Sequence, residues 1–158
     1  LLSCGLYMTE LIDVSTEERQ PAPELFLLFD EALEALALAG SEPGPPMVLR
    51  HFEMSLLTLS GYALQLAQCA HCGGPLPPGA CSFNARAGGM VCEKCSATRH
   101  TLKIGSAACD YLRGMMGQAP VPNGAPDAAT QQDLERLLHL HLTTRLGREI
   151  KSYPFLSL

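Results

Sequence analysis

The sequence predicts a mainly α fold, a helical bundle into which a small four-cysteine lobe is inserted. Three observations predict it. Apolar residues recur at helical spacing on both sides of the middle of the chain. Prolines and glycines cluster between those stretches and punctuate them. Two CxxC pairs, Cys69-Ala-His-Cys72 and Cys92-Glu-Lys-Cys95, stand nineteen residues apart at the centre. Each pair turns tightly enough to aim two sulfurs at one point, and two pairs at this separation read as a zinc-ribbon-like lobe.

The elements follow in order. Segment 1–14 reads as a helix from the spacing of Leu2, Leu6 and Leu11, with Met8 and Ile12 alongside. Ser15 to Pro23 is polar and reads as a connection. Pro23-Glu24 opens a second helix to about Ala39, because proline suits an early helix position and an acid suits the positive helix end. Its apolar stripe is Leu25, Phe29, Ala32, Leu33 and Leu36, and Gly40 to Pro46 stops it. A third, central helix is expected over about 46–67, where Leu49, Phe52, Leu56, Leu59, Ala63 and Leu66 step by three and four. Within the cysteine lobe, Cys81-Ser82-Phe83-Asn84 and Gly88-Gly89-Met90-Val91 suggest a small hairpin that feeds the second CxxC pair. A helix follows near 105–117, then a Pro/Gly/Ala-rich loop from Gln118 to Pro126. Thr130 with Asp133 resembles a capping box for a last helix ending near Gly147, before a short tail, Glu149 to Leu158. The expected division is a helical domain over 1–68 and 101–158, with the lobe at 69–100.

Composition bounds the function. In 158 residues, 47% are hydrophobic and 17% charged, a folded rather than disordered balance in a chain long enough for its own core. No apolar run reaches the roughly 18 residues that span a bilayer. The apolar start, Leu1 to Leu6, lacks a basic lead and a small-residue cleavage site, so no signal peptide is read there. With no start methionine and a helical pattern from the first turn, the chain is expected to be a C-terminal portion of a longer protein. Seven cysteines, an odd number with two CxxC pairs, suit a reducing cytosol. The formal charge of −5 makes the domain a poor non-specific DNA binder, so any nucleic-acid contact needs a local basic patch or another part of the protein.

The spacing assigns Cys69, Cys72, Cys92 and Cys95 to one structural zinc ion. Four protein ligands leave no open position for water or substrate, which argues against an enzyme. A redox reading would need a thioredoxin-like βαβ context that the sequence lacks. His71 lies inside a CxxC turn, where it is expected to point away, and Cys81 reads as a small buried residue. A zinc hydrolase or deaminase is weighed as a rival, but neither an HExxH sequence nor a His-x-Glu partner to a CxxC is present. A structural zinc-ribbon adaptor for some other peptide is a further alternative.

Several stretches carry a family likeness in order along the chain. Leu6-Tyr7-Met8-Thr9-Glu10-Leu11 and Glu24-Leu25-Phe26-Leu27-Leu28-Phe29 resemble the first two helices of the C-terminal region of RecO, a family of bacterial recombination mediators. Leu49-Arg50-His51-Phe52-Glu53-Met54-Ser55-Leu56-Leu57 with Gly61-Tyr62 resembles its central helix, the CxxC pairs with Gly88-Gly89 match its zinc-bearing members, and Leu146-Gly147-Arg148-Glu149-Ile150-Lys151-Ser152 resembles its closing motif. The resemblance implies a non-catalytic, cytoplasmic, nucleoid-associated role in DNA repair. Such proteins work with RecR to load RecA onto strands coated by single-stranded-DNA-binding protein (SSB), and they anneal DNA. It also implies an N-terminal OB-fold domain that is absent here and that contributes to DNA binding, no membrane, and docking of the acidic SSB tail, which ends in a hydrophobic residue.

Such a tail needs a cation beside an apolar pocket. Arg50, on the rim of the central helix, is the first candidate, with His51 beside it; a solvated helix face is the plain alternative. Arg148 and Lys151 are candidates for carboxylates or phosphates, though cations also suit a helix C-terminus. Arg86, Lys94, Arg99 and Lys103 give the lobe a modest basic character; contact with DNA phosphates is one reading, and surface solubility is the better-supported one. Phe26, Phe29, Phe52 and Tyr62 are spaced like core residues.

Overall fold

The computed structural model describes residues 1–16, 21–39, 44–77, 81–97 and 101–156, apart from the Cys81 side chain. Parts of the expected connections over 15–23 and 40–46, the expected basic residue Arg99 and the burial of Cys81 lie outside the described residues. The elements are α1 (Leu2–Ser15), α2 (Pro23–Leu38), α3 (Pro45–Leu59), β1 (Cys81–Asn84), β2 (Gly89–Val91), α4 (Glu93–Ser96), β3 (Thr101–Ile104), α5 (Ser106–Met115) and α6 (Ala128–Leu146), followed by a 3₁₀ turn at Tyr153–Phe155. The architecture is mainly helical with a small three-stranded antiparallel sheet ordered β2-β1-β3.

Helix α3 is the centre of the bundle and packs against α1, α2 and α6. Leu49, Phe52, Leu56 and Leu57 are buried on it and meet Tyr7, Met8 and Leu11 of α1 and Leu134, Leu137 and Leu138 of α6 in one core. Truncating a buried aromatic such as Phe52 to alanine costs about 3–5 kcal/mol. The α3 helix ends at Leu59, eight residues before the expected end at 67. Gly61, at φ +80, takes the left-handed position, Tyr62 N–H donates to the Leu57 carbonyl at 2.7 Å and Gly61 N–H to the Thr58 carbonyl at 3.1 Å. This pair of bonds closes a helix on a glycine. Beyond it Leu64 and Leu66 are buried two residues apart, the period of an extended strand rather than a helix. Leu66 kept the helical count by coincidence, while Leu59 and Ala63 are exposed.

Two aromatic assignments also change. Phe29 and Phe52 pack in and on the core, but Phe26 is 67% exposed and Tyr62 40% exposed. Phe26 sits next to Leu25, about 100° round the helix from the line that α2 buries through Ala32 and Leu36. Tyr62 lies past the end of α3 and is capped from outside by Arg145, whose guanidinium stands 5.8 Å from the ring centre. The last helix begins two residues before the expected capping box. Asp127 is its N-cap, accepting from Thr130 N–H at 2.7 Å, whereas Asp133 reaches back to accept from Gly105 N–H at 2.8 Å. Gly147, at φ +63, ends it as expected.

Strand β3 has no counterpart in the sequence reading. It pairs with β1 from Cys81 opposite Ile104 to Asn84 opposite Thr101. The β1–β2 turn is built locally. Asn84 Oδ1 accepts from Ala87 N–H at 2.9 Å, and the Asn84 carbonyl accepts from Gly88 N–H at 2.9 Å. The segment after α3 then runs beside β2, with Gln65 N–H donating to Gly88 and Met90 N–H donating to Gln65. The backbones approach so closely that a Cβ on Gly89 would lie 2.3 Å from the Gln65 carbonyl oxygen. Gly89→Ala is therefore expected to cost at least about 2 kcal/mol through forced backbone displacement. Gly61→Ala, which meets only positive φ in open space, should cost about 1 kcal/mol. Urea unfolding of the two variants measures the difference; equal midpoints would contradict the close approach.

Candidate metal centre and partner-docking cavity

The two CxxC turns face each other across the start of the lobe. In the first, Gly73 N–H donates to the Cys69 carbonyl at 2.8 Å with Gly73 at φ +70, and Cys69 N–H donates to Gly74 at 2.8 Å. In the second, Cys92 is the N-cap of α4, and its carbonyl accepts from Cys95 N–H at 3.0 Å and Ser96 N–H at 2.9 Å. Ala70 N–H donates to Met90 at 2.8 Å and fastens the first turn to β2, which leads straight into the second. As a result the sulfurs of Cys69, Cys72, Cys92 and Cys95 all lie within 4.8 Å of one another. Cys72 and Cys92 are 3.8 Å apart. A tetrahedral shell with Zn–S of about 2.3 Å places its sulfurs about 3.8 Å apart, so the four residues could hold a metal ion.

Electrostatics within the cluster is uneven. Burial opposes ionisation of Cys69, but backbone N–H groups of Cys92, Cys72 and His71 outweigh it and bring the thiol down to about 6. The Cys92 N–H lies 3.3 Å from that sulfur. Cys95 goes the other way, to about 12, through hydrogen bonding with the Cys92 sulfur, burial and the neighbouring Cys72 and Cys69. A bound cation would remove this conflict by favouring thiolate at all four. His71 is exposed and is not one of the four converging ligands.

Arg50 is not on a solvated rim. It is 2% exposed, and its Nε stands 3.2 Å from Oε2 of the fully buried Glu53, one helical turn on. Tyr7 O–H donates to Glu53 Oε1 at 2.6 Å and ties α1 to the pair. Burial raises the Glu53 pKa, against the pull of Arg50 and the Tyr7 hydrogen bond. None of the three Arg50 side-chain nitrogens has a hydrogen-bond partner among the described residues. Arg50 lines a cavity of about 360 Å³ between α3 and α6, together with Pro46, Met47, Gln131, Gln132 and Glu135. Buried N–H donors without hydrogen bonds are costly even beside an ion-pair partner, and a carboxylate that reached them would satisfy them.

The other candidates are dispersed. His51 is exposed at its edge and lines a different cavity, with Met47, Tyr111 and Val121, where burial lowers its pKa. Arg148 and Lys151 are exposed and line neither cavity. The Lys151 backbone N–H donates to Glu10 Oε1 at 2.8 Å, so this motif anchors the tail to α1. Exposed Arg86 and Lys94 share a groove of about 480 Å³ with His71 and Asn84, while Lys103 is exposed outside it. Sequence reasoning missed Glu53, Tyr7, Glu135 and the stacked His139–Tyr153 rings, whose centres are 3.5 Å apart. One signal was available: Glu53 interrupts the apolar side of α3 three residues after Arg50, the spacing of an ion pair.

The lobe is joined to the bundle through His141, which is fully buried. Its Nε2 is 2.9 Å from the Tyr62 carbonyl and its ring meets Phe83 edge-on at 5.6 Å. Burial lowers its pKa, the Tyr62 carbonyl opposes that, and Arg145 adds to it.

A helical domain that carries a convergent four-cysteine cluster defines the class. The chain belongs to the RecO family, through its C-terminal region: the model for "Recombination protein O C terminal" matches residues 1–154. Relatives named "DNA repair protein RecO" include one from Pelotomaculum thermopropionicum, 30% identical over 95% of this chain and 58% of its own length. Those from Frankia casuarinae and Acidithiobacillus ferrooxidans are each 35% identical, over 90% and 96% of this chain and 57% and 56% of their own lengths. The chain thus spans less than two thirds of these relatives. Among the described residues no helix is long and apolar enough to cross a membrane.

A pH dependence follows from His141. In the unfolded chain its imidazole binds a proton near pH 6.5, whereas the folded site keeps it neutral below that. Stability from this residue is complete above about pH 6.5 and is lost as pH falls through the lowered value, by at most about 1.4 kcal/mol per pH unit. His139, lowered mainly by burial, acts in the same direction; Glu53, raised, acts in the opposite one. His141→Gln should flatten the fall in unfolding free energy between about pH 7 and about pH 5. An unchanged slope in denaturant titrations would contradict this account.

Proposed function

We propose that this chain is a non-catalytic interaction region of a DNA repair and recombination mediator. In this reading Cys69, Cys72, Cys92 and Cys95 hold one structural zinc ion, and residues 69–100 act as a lobe inserted in a helical domain formed by 1–68 and 101–158. When bound, zinc supplies a fixed four-sulfur crosslink with no open position for a substrate. The helical domain docks the acidic C-terminal tail of SSB through Arg50, and it works beside RecR and DNA to favour handover of the strand to RecA. The observation that carries the docking is the buried Arg50 at a cavity, its guanidinium ion-paired with Glu53 but without a hydrogen-bond partner among the described residues. Membership of the RecO family and the relatives' names support the repair setting. The roles of His51, Arg148 and Lys151 reduce to neighbourhood: they belong to surfaces a longer partner could touch, not to the Arg50 cavity. The DNA contacts are assigned mainly to the part of the relatives this chain does not span, and the compartment to the bacterial cytoplasm, at the nucleoid.

Binding of a fluorescent SSB tail peptide to the zinc-loaded chain tests this. Saturable binding that needs the terminal hydrophobic residue is expected. Arg50→Ala should weaken it by at least about tenfold, the loss of a charge-assisted contact. Because that variant leaves Glu53 as a buried unpaired acid, which can cost about 3–5 kcal/mol, Gln132→Glu is the companion. It adds a repelling charge at the exposed cavity edge without touching the buried pair. Undiminished binding by both variants, or none by the folded parent, would overturn the docking assignment.

A further inference from the structure

A second groove lies where α2, α3 and the end of α5 meet, and it shares no lining residue with the Arg50 cavity. It encloses about 530 Å³ and is floored by Leu27, Leu28, Met54, Leu59, Met115 and Met116. Leu27 is 57% and Leu59 45% exposed. Glu24 and Glu31 stand on its edge, seven residues apart on α2. We propose that this groove docks a basic, amphipathic helical segment of a protein partner.

Charge selects the partner. Helix α2 carries Glu24, Asp30, Glu31 and Glu34, all exposed, and no Lys, Arg or His. The groove lining holds two carboxylates and no cation. Neither carboxylate belongs to an ion pair among the described residues. The Arg50 cavity offers a guanidinium beside Glu135, whereas this groove offers carboxylates alone, so it repels an anionic peptide and attracts Lys or Arg. The inference therefore goes beyond the docking reading and asks for a partner of opposite charge.

Shape selects a helix. The α2 side of the groove is built from Glu24, Leu27, Leu28 and Glu31, one helix stripe two turns long, about 10.5 Å. None of the three strands lines the groove, so it presents no sheet edge whose backbone groups an extended peptide could pair with. A segment docked there must satisfy its own backbone hydrogen bonds, which a helix does. Its apolar side chains at three- and four-residue spacing would enter the Leu and Met floor, and methionine adapts to different partners. Cations one heptad apart would then face Glu24 and Glu31.

The test uses the zinc-loaded chain and two synthetic peptides with the same helical leucine pattern, one with lysines on its polar face and one with glutamates. Methionine-methyl NMR and fluorescence anisotropy are the readouts. The lysine peptide is expected to bind and to shift the Met54, Met115 and Met116 methyls, and the glutamate peptide to leave them unmoved. The double variant Glu24→Lys/Glu31→Lys should weaken the lysine peptide by about tenfold. Both glutamates are exposed, and an unchanged urea unfolding midpoint of the double variant would show an intact fold separately from this site. Absence of binding, equal binding by the double variant, or shifts confined to other residues would overturn the proposal. So would concentration-dependent shifts of these methyls with no peptide present, which would assign the groove to a second copy of this chain.

Discussion

Four sulfurs converge at the base of the lobe in a geometry that apolar packing alone would not select. Two unit charges about 4 Å apart near a protein surface interact by about 4 kcal/mol, so four thiolates there repel one another strongly without a cation. With a divalent ion the same geometry becomes a crosslink whose apparent binding free energy is of order 10–16 kcal/mol, comparable with the stability of a small domain. The fixed CxxC turns then fix β2 and α4, and through them the turn at Gly88 and the line of Gln65. A small sheet whose strands are three or four residues long has little other means of holding a register.

The lobe is fastened to the bundle rather than hung from it. Phe83 from β1 and Met90 from β2 enter the core that α3 and α6 share, and His141 of α6 bridges Phe83 and the Tyr62 carbonyl. Arg145 covers Tyr62 and donates to the Arg86 carbonyl at 3.3 Å. The four-cysteine cluster and the Arg50 cavity are therefore parts of one packed body, with α6 contributing to both the lobe junction and the cavity wall. In the proposed function, the metal maintains the frame and the bundle supplies the contacts.

How much of this was legible in the sequence depended on whether the controlling interaction was local. The CxxC spacing, the glycine-bounded hairpin, the ends of α2 and the C-terminal end of α6 are set by neighbours in sequence, and they were readable. The end of α3 was not, because Leu66 preserved the helical count while Gly61 diverted the backbone beneath it. Strand β3 pairs with β1 some twenty residues earlier, a tertiary choice with no local signature. Phe26 and Tyr62 show the same limit: aromatic spacing says that a residue could be buried, but the partner helix decides which face is covered. In the sequence Arg50 is a charge beside an apolar stripe, yet its burial depends on Glu53, which is held by Tyr7 forty-six residues before Glu53.

The central claim is that the four-cysteine cluster is a closed structural metal centre and the frame for non-catalytic docking. Zinc-edge X-ray absorption on the purified chain tests it most directly. The account predicts one zinc per chain with four sulfur neighbours at about 2.3 Å and no lighter atom bonded to it. Three sulfurs with an oxygen or nitrogen neighbour would contradict it, because that shell has the open or exchangeable position that catalysis needs.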